Sequence, residues 1–244
     1  MNLLIDIGNS RIKWGIDKNG VIKTGQPIDY KQADFRNEVH RHCLKLEAPQ
    51  LLAISTVSAK EIAIQIIEIA KSLWPDINVL MAKSLATSCF VKNAYHQADK
   101  LGVDRWLGLI ALQHYYPGNS CMVDCGTAIT IDCLDASGQH LGGLISPGLQ
   151  LMKHSLYQGT ESLSFVHQNY SVGLSSCTES AIYSGILYAA VGLIEKAIND
   201  LCNCQTLVLT GGNAELLAQY LAIDSIIDPD LVLKGLSLFS KEEI

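Results

Sequence analysis

No part of this chain is basic enough to track a phosphate backbone. Lys and Arg number 18 against 24 Asp and Glu, a formal net charge of −6, so there is no cationic surplus to displace counterions and a nucleic-acid partner is argued against. Nor does any uninterrupted apolar run approach the roughly 20 residues of a bilayer span; the longest, Gly185 to Ile194, stops at Glu195. The start, Met1-Asn2-Leu3-Leu4-Ile5-Asp6, lacks the basic flank and the long apolar core of a secretory signal. These absences predict a cytoplasmic protein with no membrane partner. Its 48% hydrophobic content is then expected in buried strands and helices.

Several nucleotide-binding signatures are missing as well. There is no G-x-x-x-x-G-K-[ST] loop, and no G-x-G-x-x-G follows the first strand. The Gly-rich loop, strand lysine and H-R-D loop of protein kinases are absent too. The eight cysteines (43, 89, 121, 125, 133, 177, 202 and 204) show neither a disulfide framework nor a zinc set. Most sit in apolar patterns, where a reduced cysteine serves as a small hydrophobe, and Cys202-x-Cys204 has no second pair at ligand spacing.

What is present is a motif used twice. Asp6-Ile7-Gly8-Asn9-Ser10 follows the apolar strand Leu3-Leu4-Ile5, and Asp124-Cys125-Gly126-Thr127-Ala128 follows Met122-Val123. Each runs straight into an alternating strand, through Ile12, Trp14 and Ile16 in one copy and Ile129, Ile131 and Cys133 in the other. A turn then leads back to a third strand, at Lys18-Asn19-Gly20 and at Asp135-Ala136-Ser137-Gly138. Either copy alone is also what a plain hairpin turn looks like. The pair predicts two similar halves facing each other across a central cleft, each gripping triphosphate oxygens through glycine-turn amides and hydroxyls. The strand-end aspartates then hold a cation rather than phosphate itself.

The rest of the chain fits two β-β-β-α-β-α-β halves. After the first triplet come a helix around Tyr30 to Leu44, a strand from Leu51 to Val57, a helix from Ala59 to Leu73 and a strand from Asn78 to Met81. Leu101 to Tyr116 reads as a helix apolar nearly all round, and Pro117-Gly118-Asn119 breaks it. The division therefore falls between residues 1–116 and 117–244. The second half continues with a helix from Thr178 to about Cys202, a strand from Thr206 to Leu209, a helix from Ala214 to Leu221 and a strand near Ser225 to Ile227. The fold class is α/β, with two mixed five-stranded sheets.

Three further segments bear on chemistry. Gly102-Val103-Asp104-Arg105 opens the buried helix, setting a carboxylate beside a guanidinium; such an aspartate can take a proton from a substrate hydroxyl, or simply pair at a helix N-terminus. Thr210-Gly211-Gly212-Asn213 joins strand to helix, so a base or ribose can lie on its backbone, although an ordinary turn has the same composition. Gly142-Gly143 and Pro147-Gly148 bracket a rigid loop.

Duplicated Asp-Gly hairpins resemble those of the actin-like ATPase superfamily, with its ribonuclease-H-like halves. The ordered set Asp6 to Gly15, Leu101 to Trp106, Asp124 to Thr130, Gly142 to Gly148 and Thr210 to Gly212 narrows the resemblance to type III pantothenate kinase, over almost the whole chain. The resemblance implies ATP-dependent phosphorylation of pantothenate, the first step of coenzyme A synthesis, by a homodimer that uses K⁺ or NH₄⁺ besides the Mg²⁺ of the nucleotide. It implies ATP contacts from Asp6, Ile7, Gly8, Asn9, Ser10, Arg11, Ile12 and Lys13, with Ser10 where many members have threonine, and from Thr127, Gly211 and Gly212. Tyr95, Gly102, Val103, Asp104, Arg105 and Thr178 fall on the substrate positions, Thr178 reaching the pocket across the dimer interface from a less typical Ser176-Cys177 context. Asp104 falls on the proton acceptor and Asp124 on the monovalent-cation ligand. Another small-molecule kinase or phosphatase of the superfamily, or a nucleotide-sensing regulator, is the alternative.

Overall fold

The protein was studied as a computed structural model that describes residues 1–159 and 170–243. By contact the chain divides into two units: Met1–Pro117 with Gly138–His140 and Asp230–Ile244, and Gly118–Ser137 with Leu141–Pro229.

The first unit is built on a five-stranded sheet. β1 (Asn2–Ile7), β2 (Ile12–Lys18), β3 (Val21–Thr24), β4 (Leu51–Thr56) and β5 (Asn78–Met81) are ordered β3-β2-β1-β4-β5. β1 pairs antiparallel with β2 and parallel with β4, which pairs parallel with β5. The β2–β3 turn puts Asn19 and Gly20 at φ of 56° and 88°, the left-handed pair an Asn-Gly hairpin favours. One face of the sheet buries Leu3, Ile5, Ile7, Leu52 and Ile54 against Phe35 and Val39 of α1 (Phe35–Cys43) and Ala63, Ile66 and Ile69 of α2 (Lys60–Leu73). The alternate residues Leu4 and Ala53 are also fully buried. That second face is covered by α3 (Val103–Tyr115) and α7 (Leu231–Glu242), which pack on each other and on β4. Burial on both faces explains why β1 and β4 read as continuous apolar runs rather than alternating ones.

A hairpin and a helix of this unit are not among the elements expected from the sequence. A small hairpin, β6 (Thr87–Ser88) and β7 (Val91–Lys92), turns through Cys89 and Phe90, both with positive φ. The helix α7 lies at the other end of the chain yet belongs here, whereas a single boundary at 116/117 put it with the second half. It is held at Asp17 of β2, which accepts from Ser237 Oγ at 2.6 Å and the Gly20 N–H at 2.7 Å and meets Lys241 Nζ at 3.3 Å.

The second unit repeats the topology. β8 (Ser120–Cys125), β9 (Ala128–Leu134), β10 (His140–Pro147), β11 (Thr206–Thr210) and β12 (Ile226–Ile227) are ordered β10-β9-β8-β11-β12. β8–β9 is antiparallel, and β8–β11 and β11–β12 are parallel. The core sets Val123, Ile129, Ile131 and Leu207 against Leu187, Ala190 and Ile194 of α5 (Thr178–Leu201) and Leu217 of α6 (Ala214–Ala218). A further helix, α4 (Leu149–Gly159), packs on α5. The two sheets thus share one strand order, and β8–β9, β8–β11 and β11–β12 match β1–β2, β1–β4 and β4–β5 in direction, as the doubled motif predicts.

Two expectations are corrected. Cys133 and Cys202 are joined by a disulfide, because the end of α5 returns to β9; linear spacing carries no trace of that approach. Among the described residues α5 is also long and apolar enough to cross a bilayer by length and composition. An uninterrupted-run criterion misses it, because its polar residues are interspersed. Ile186, Leu187, Ala190, Val191 and Ile194 are nevertheless buried in the core of this unit.

Candidate active site

In the first unit the chain leaves β1 at Asp6 and turns through Gly8, whose N–H donates to the Arg11 carbonyl at 3.1 Å. The Gly8 carbonyl accepts from Tyr30 Oη at 2.8 Å, and Asn9 Oδ1 accepts from Ser58 Oγ at 3.1 Å. Asn9 and Arg11 are exposed, and Ile7 and Ile12 are buried beneath them. Asp6 stands opposite Lys13 on β2 and level with Ser55 on β4.

The second turn is walled by two other loops. The Gly126 N–H donates to the Ala128 carbonyl at 3.1 Å, the Gly148 N–H to the Thr127 carbonyl at 3.0 Å and the Asn213 N–H to the Cys125 carbonyl at 3.0 Å. Gly211 has a φ of 87°, and a Cβ there would run into the Asp124 carboxylate and the Cys125 backbone; only glycine meets both demands. Three separate glycine motifs of the sequence, 124–128, 142–148 and 210–213, therefore form one surface, with Thr127 and Gly212 exposed on it.

Asp124 is flanked in register by Thr130 on β9 and Thr210 on β11. Both threonine hydroxyls are buried and without a hydrogen-bond partner. Buried polar atoms normally have one, so two orphaned hydroxyls on either side of a carboxylate fit an oxygen-ligated cation. Ser55, level with Asp6 in the first unit, carries a third such hydroxyl.

The third group of residues surrounds the start of α3. Gly102 is its N-cap and Asp104 lies in its first turn. The carboxylate folds back so that Asp104 Oδ1 accepts the Arg105 N–H at 2.8 Å. An added Cβ on Gly102 would sit 2.6 Å from that oxygen, so a side chain there would displace the Asp104 carboxylate. Arg105 is only 5% exposed; its Nη1 donates to Tyr95 Oη at 2.9 Å, and its guanidinium lies 5.7 Å from the Tyr95 ring centre. Tyr95 is fixed from behind. Asn93 Oδ1 accepts its N–H at 2.9 Å, while Asn93 Nδ2 ties to the carbonyls of Leu85 and Ala98. The Tyr95 ring stacks on that of His140 at 6.2 Å and 12°. The imidazole in turn accepts the Ala94 N–H on Nδ1 at 3.4 Å.

A family model for type III pantothenate kinase matches residues 2–200. The chain belongs to that family. Among curated members, the type III pantothenate kinase of Nitrosococcus oceani is 34% identical, covering 99% of this chain and 94% of its own length. That of Laribacter hongkongensis is 35% identical, covering 97% of each. The chain is accordingly a kinase, a phosphotransferase. Solved structures agree on the fold. A protein of Campylobacter jejuni described as a Baf family transcriptional activator superposes with a TM-score of 0.61 at 24% identity, covering 99% of this chain and 98% of that one. Component A of the Acidaminococcus fermentans (R)-2-hydroxyglutaryl-CoA dehydratase gives 0.57 at 14%, covering 100% and 99%.

For this type III pantothenate kinase family member, the structure brings Tyr95, Gly102, Val103, Asp104 and Arg105 together on one unit, with Asp6 to Lys13 in a turn of the same unit. Asp124, Thr127, Gly211 and Gly212 meet on the other. Thr178 is exposed at the first residue of α5. Asn93, His140, Thr130 and Thr210 were missed. Thr130 and Thr210 close or open motifs of the sequence but had no role assigned, and Asn93 and His140 lie in none; strand register places the threonines beside Asp124, and a hydrogen bond and a ring stack place Asn93 and His140 behind Tyr95.

Proposed function

We propose that the chain transfers the γ-phosphoryl group of ATP to the primary hydroxyl of pantothenate in the cytoplasm, with Asp104 as the proton acceptor. The observation that carries this reading is the buried Arg105 beside Asp104, locked to Tyr95 at the start of α3. A fixed guanidinium is a specific receptor for a small carboxylate such as that of pantothenate. Asp104 sits one residue away, where it can orient a hydroxyl of the same molecule. A carboxylate of pKa about 4 does not deprotonate an alcohol outright. Asp104 therefore aligns the nucleophile and receives its proton late, as the bond to phosphorus forms, and positioning and charge neutralisation supply most of the rate.

Asp6 to Lys13 and Thr127 contact the phosphates, Lys13 adding a cation where the second unit has Thr130. Gly211 and Gly212 receive the adenosine. Asp124, Thr130 and Thr210 hold the monovalent cation, K⁺ or NH₄⁺, which when bound offsets phosphate charge alongside Mg²⁺. The homodimer reading rests on α5, whose small residues Ala181, Gly185 and Ala189 are exposed in the single chain, and on Thr178, which reaches a partner's pantothenate.

The test is ATP-dependent phosphorylation of pantothenate by the purified protein, with K⁺ exchanged for Na⁺ and with Asp104→Asn alongside. Turnover that requires K⁺, and an Asp104→Asn protein that binds ATP normally without turning over, are the expected results. Substantial turnover by Asp104→Asn overturns the proton-acceptor assignment, and no pantothenate turnover in either salt overturns the substrate.

A further inference from the structure

Half of the cysteines converge at one edge of the second unit's core. Cys121 of β8 and Cys133 of β9 are directly opposed cross-strand partners. Cys202 is the C-cap of α5, and Cys204 follows in the short link to β11. That strand pairs with β8 beside Cys121, Ser120 lying opposite Thr206. The Sγ atoms of Cys121, Cys133 and Cys202 all lie within 4.8 Å of one another. Cys204 lies two residues beyond Cys202 and packs against the same core cluster. Three of the four are buried, and Cys204 is half-buried.

Ordinary core packing accounts for a cysteine such as Cys125, a small hydrophobe with no sulfur neighbour among these four. It does not require three sulfurs from two strands and a helix end to meet at one point, with a fourth cysteine packed against the same cluster from the link beyond. A tetrahedral tetrathiolate centre does: metal–sulfur bonds of about 2.3 Å set the sulfurs about 3.8 Å apart. The spread of the three mutually close sulfurs spans that value once the Cys133–Cys202 bond is opened. The donor set is all sulfur, which selects soft or borderline d¹⁰ ions over Mg²⁺. Asp132 lies between Ile131 and Cys133 on β9, so by strand alternation its carboxylate is on the other face of the sheet.

We propose that the reduced cluster of Cys121, Cys133, Cys202 and Cys204 is a tetrathiolate site for a d¹⁰ cation of the Zn²⁺ type, and that the Cys133–Cys202 disulfide is its oxidised, metal-free form. Two equivalents of a low-molecular-weight thiol supply the two electrons and two protons that convert the disulfide to two thiols, and leave as their own disulfide. The four thiols then release their protons as the metal–sulfur bonds form. In the reverse direction a small-molecule disulfide takes back two electrons, closes Cys133–Cys202 and expels the ion. Bound metal ties the end of α5 to β8 and β9, so it stabilises the second unit. The proposal is independent of the phosphoryl-transfer chemistry.

The test uses the full-length protein, reduced with a phosphine, freed of reductant under anaerobic conditions and titrated with Co²⁺ as a spectroscopic probe. Uptake of one equivalent with thiolate-to-cobalt charge-transfer bands, displaced by Zn²⁺ and accompanied by a rise in Tm, is expected. The unreduced protein should show none of this. Cys204→Ser, the least buried change, should weaken cobalt binding on the order of tenfold or more, whereas Cys177→Ser, exposed and outside the cluster, should leave it unchanged. Absence of the charge-transfer bands in the reduced protein overturns the proposal. So do bands of undiminished affinity in Cys204→Ser, or equal uptake by the disulfide form.

Discussion

At the scale of single residues, the most telling atoms are those with nothing to bond to. Thr130 Oγ1 and Thr210 Oγ1 flank Asp124 without partners, an arrangement that costs stability unless a ligand completes it. Thr210→Val swaps the orphan hydroxyl for a methyl of like shape. In K⁺-free buffer the variant should be at least as stable as the parent, because a desolvated hydroxyl is removed. The K⁺ concentration for half-maximal activity should rise about tenfold, equivalent to about 1.4 kcal/mol of lost ligand interaction. Thermal melts and K⁺ titrations of the kinase assay report the two effects separately. His140 acts more indirectly, from behind the Tyr95 ring on which it stacks. His140→Leu should raise the pantothenate KM several-fold while the ATP KM stays constant; steady-state kinetics with each substrate varied in turn checks this split.

At the scale of elements, α3 is the piece that both fills the first unit and presents its chemistry. Its middle is fully buried from Trp106 to Leu112, so the first-turn residues Asp104 and Arg105 are held on a helix that has little freedom to move. Much of that rigidity comes from α7. Gly235 lies so close to the Leu107 backbone that any Cβ there would collide with it. Gly235→Ala therefore should not behave as a helix-stabilising substitution. The gain of up to about 1 kcal/mol in helix propensity is outweighed by overpacking of about 1–3 kcal/mol or more, and the net effect expected in denaturant titration is a loss of stability with reduced activity. Had the helices been spaced normally, the same change would raise the denaturation midpoint.

For the molecule as a whole, the two ends of the chain meet at Asp17. Burial alone would push its carboxyl pKa up, but the hydrogen bonds from Ser237 and the Gly20 N–H and the charge of Lys241 outweigh that and hold it below the ordinary 3.8. The unfolded chain thus binds this proton more tightly than the folded one, so stability from Asp17 increases with pH. It is complete above pH 3.8 and is lost as the solution is acidified through the lower folded value. Denaturation midpoints should fall on the acid side of that range, and Asp17→Asn should lower stability at neutral pH while flattening the acid limb. An acid limb as steep in the variant as in the parent would show that other carboxylates dominate.

How much of this was legible beforehand follows from where each feature is encoded. The strands, the Asn19-Gly20 hairpin, the buried run of α3 and both Asp-Gly turns are local patterns. Their dihedrals and periodicity are set by neighbours in the chain, so the sequence by itself determined two topologically equal sheets and the family. The helix α7 and the β6–β7 hairpin were not legible, because the helix gains its stability from packing on distant α3 and the hairpin is too short to show a period. The sulfur cluster, the hydroxyls beside Asp124 and the stack of His140 behind Tyr95 were decided by tertiary structure alone. Each depends on strand register or on a helix end returning to a sheet, and register places residues side by side with no regard for their separation in sequence.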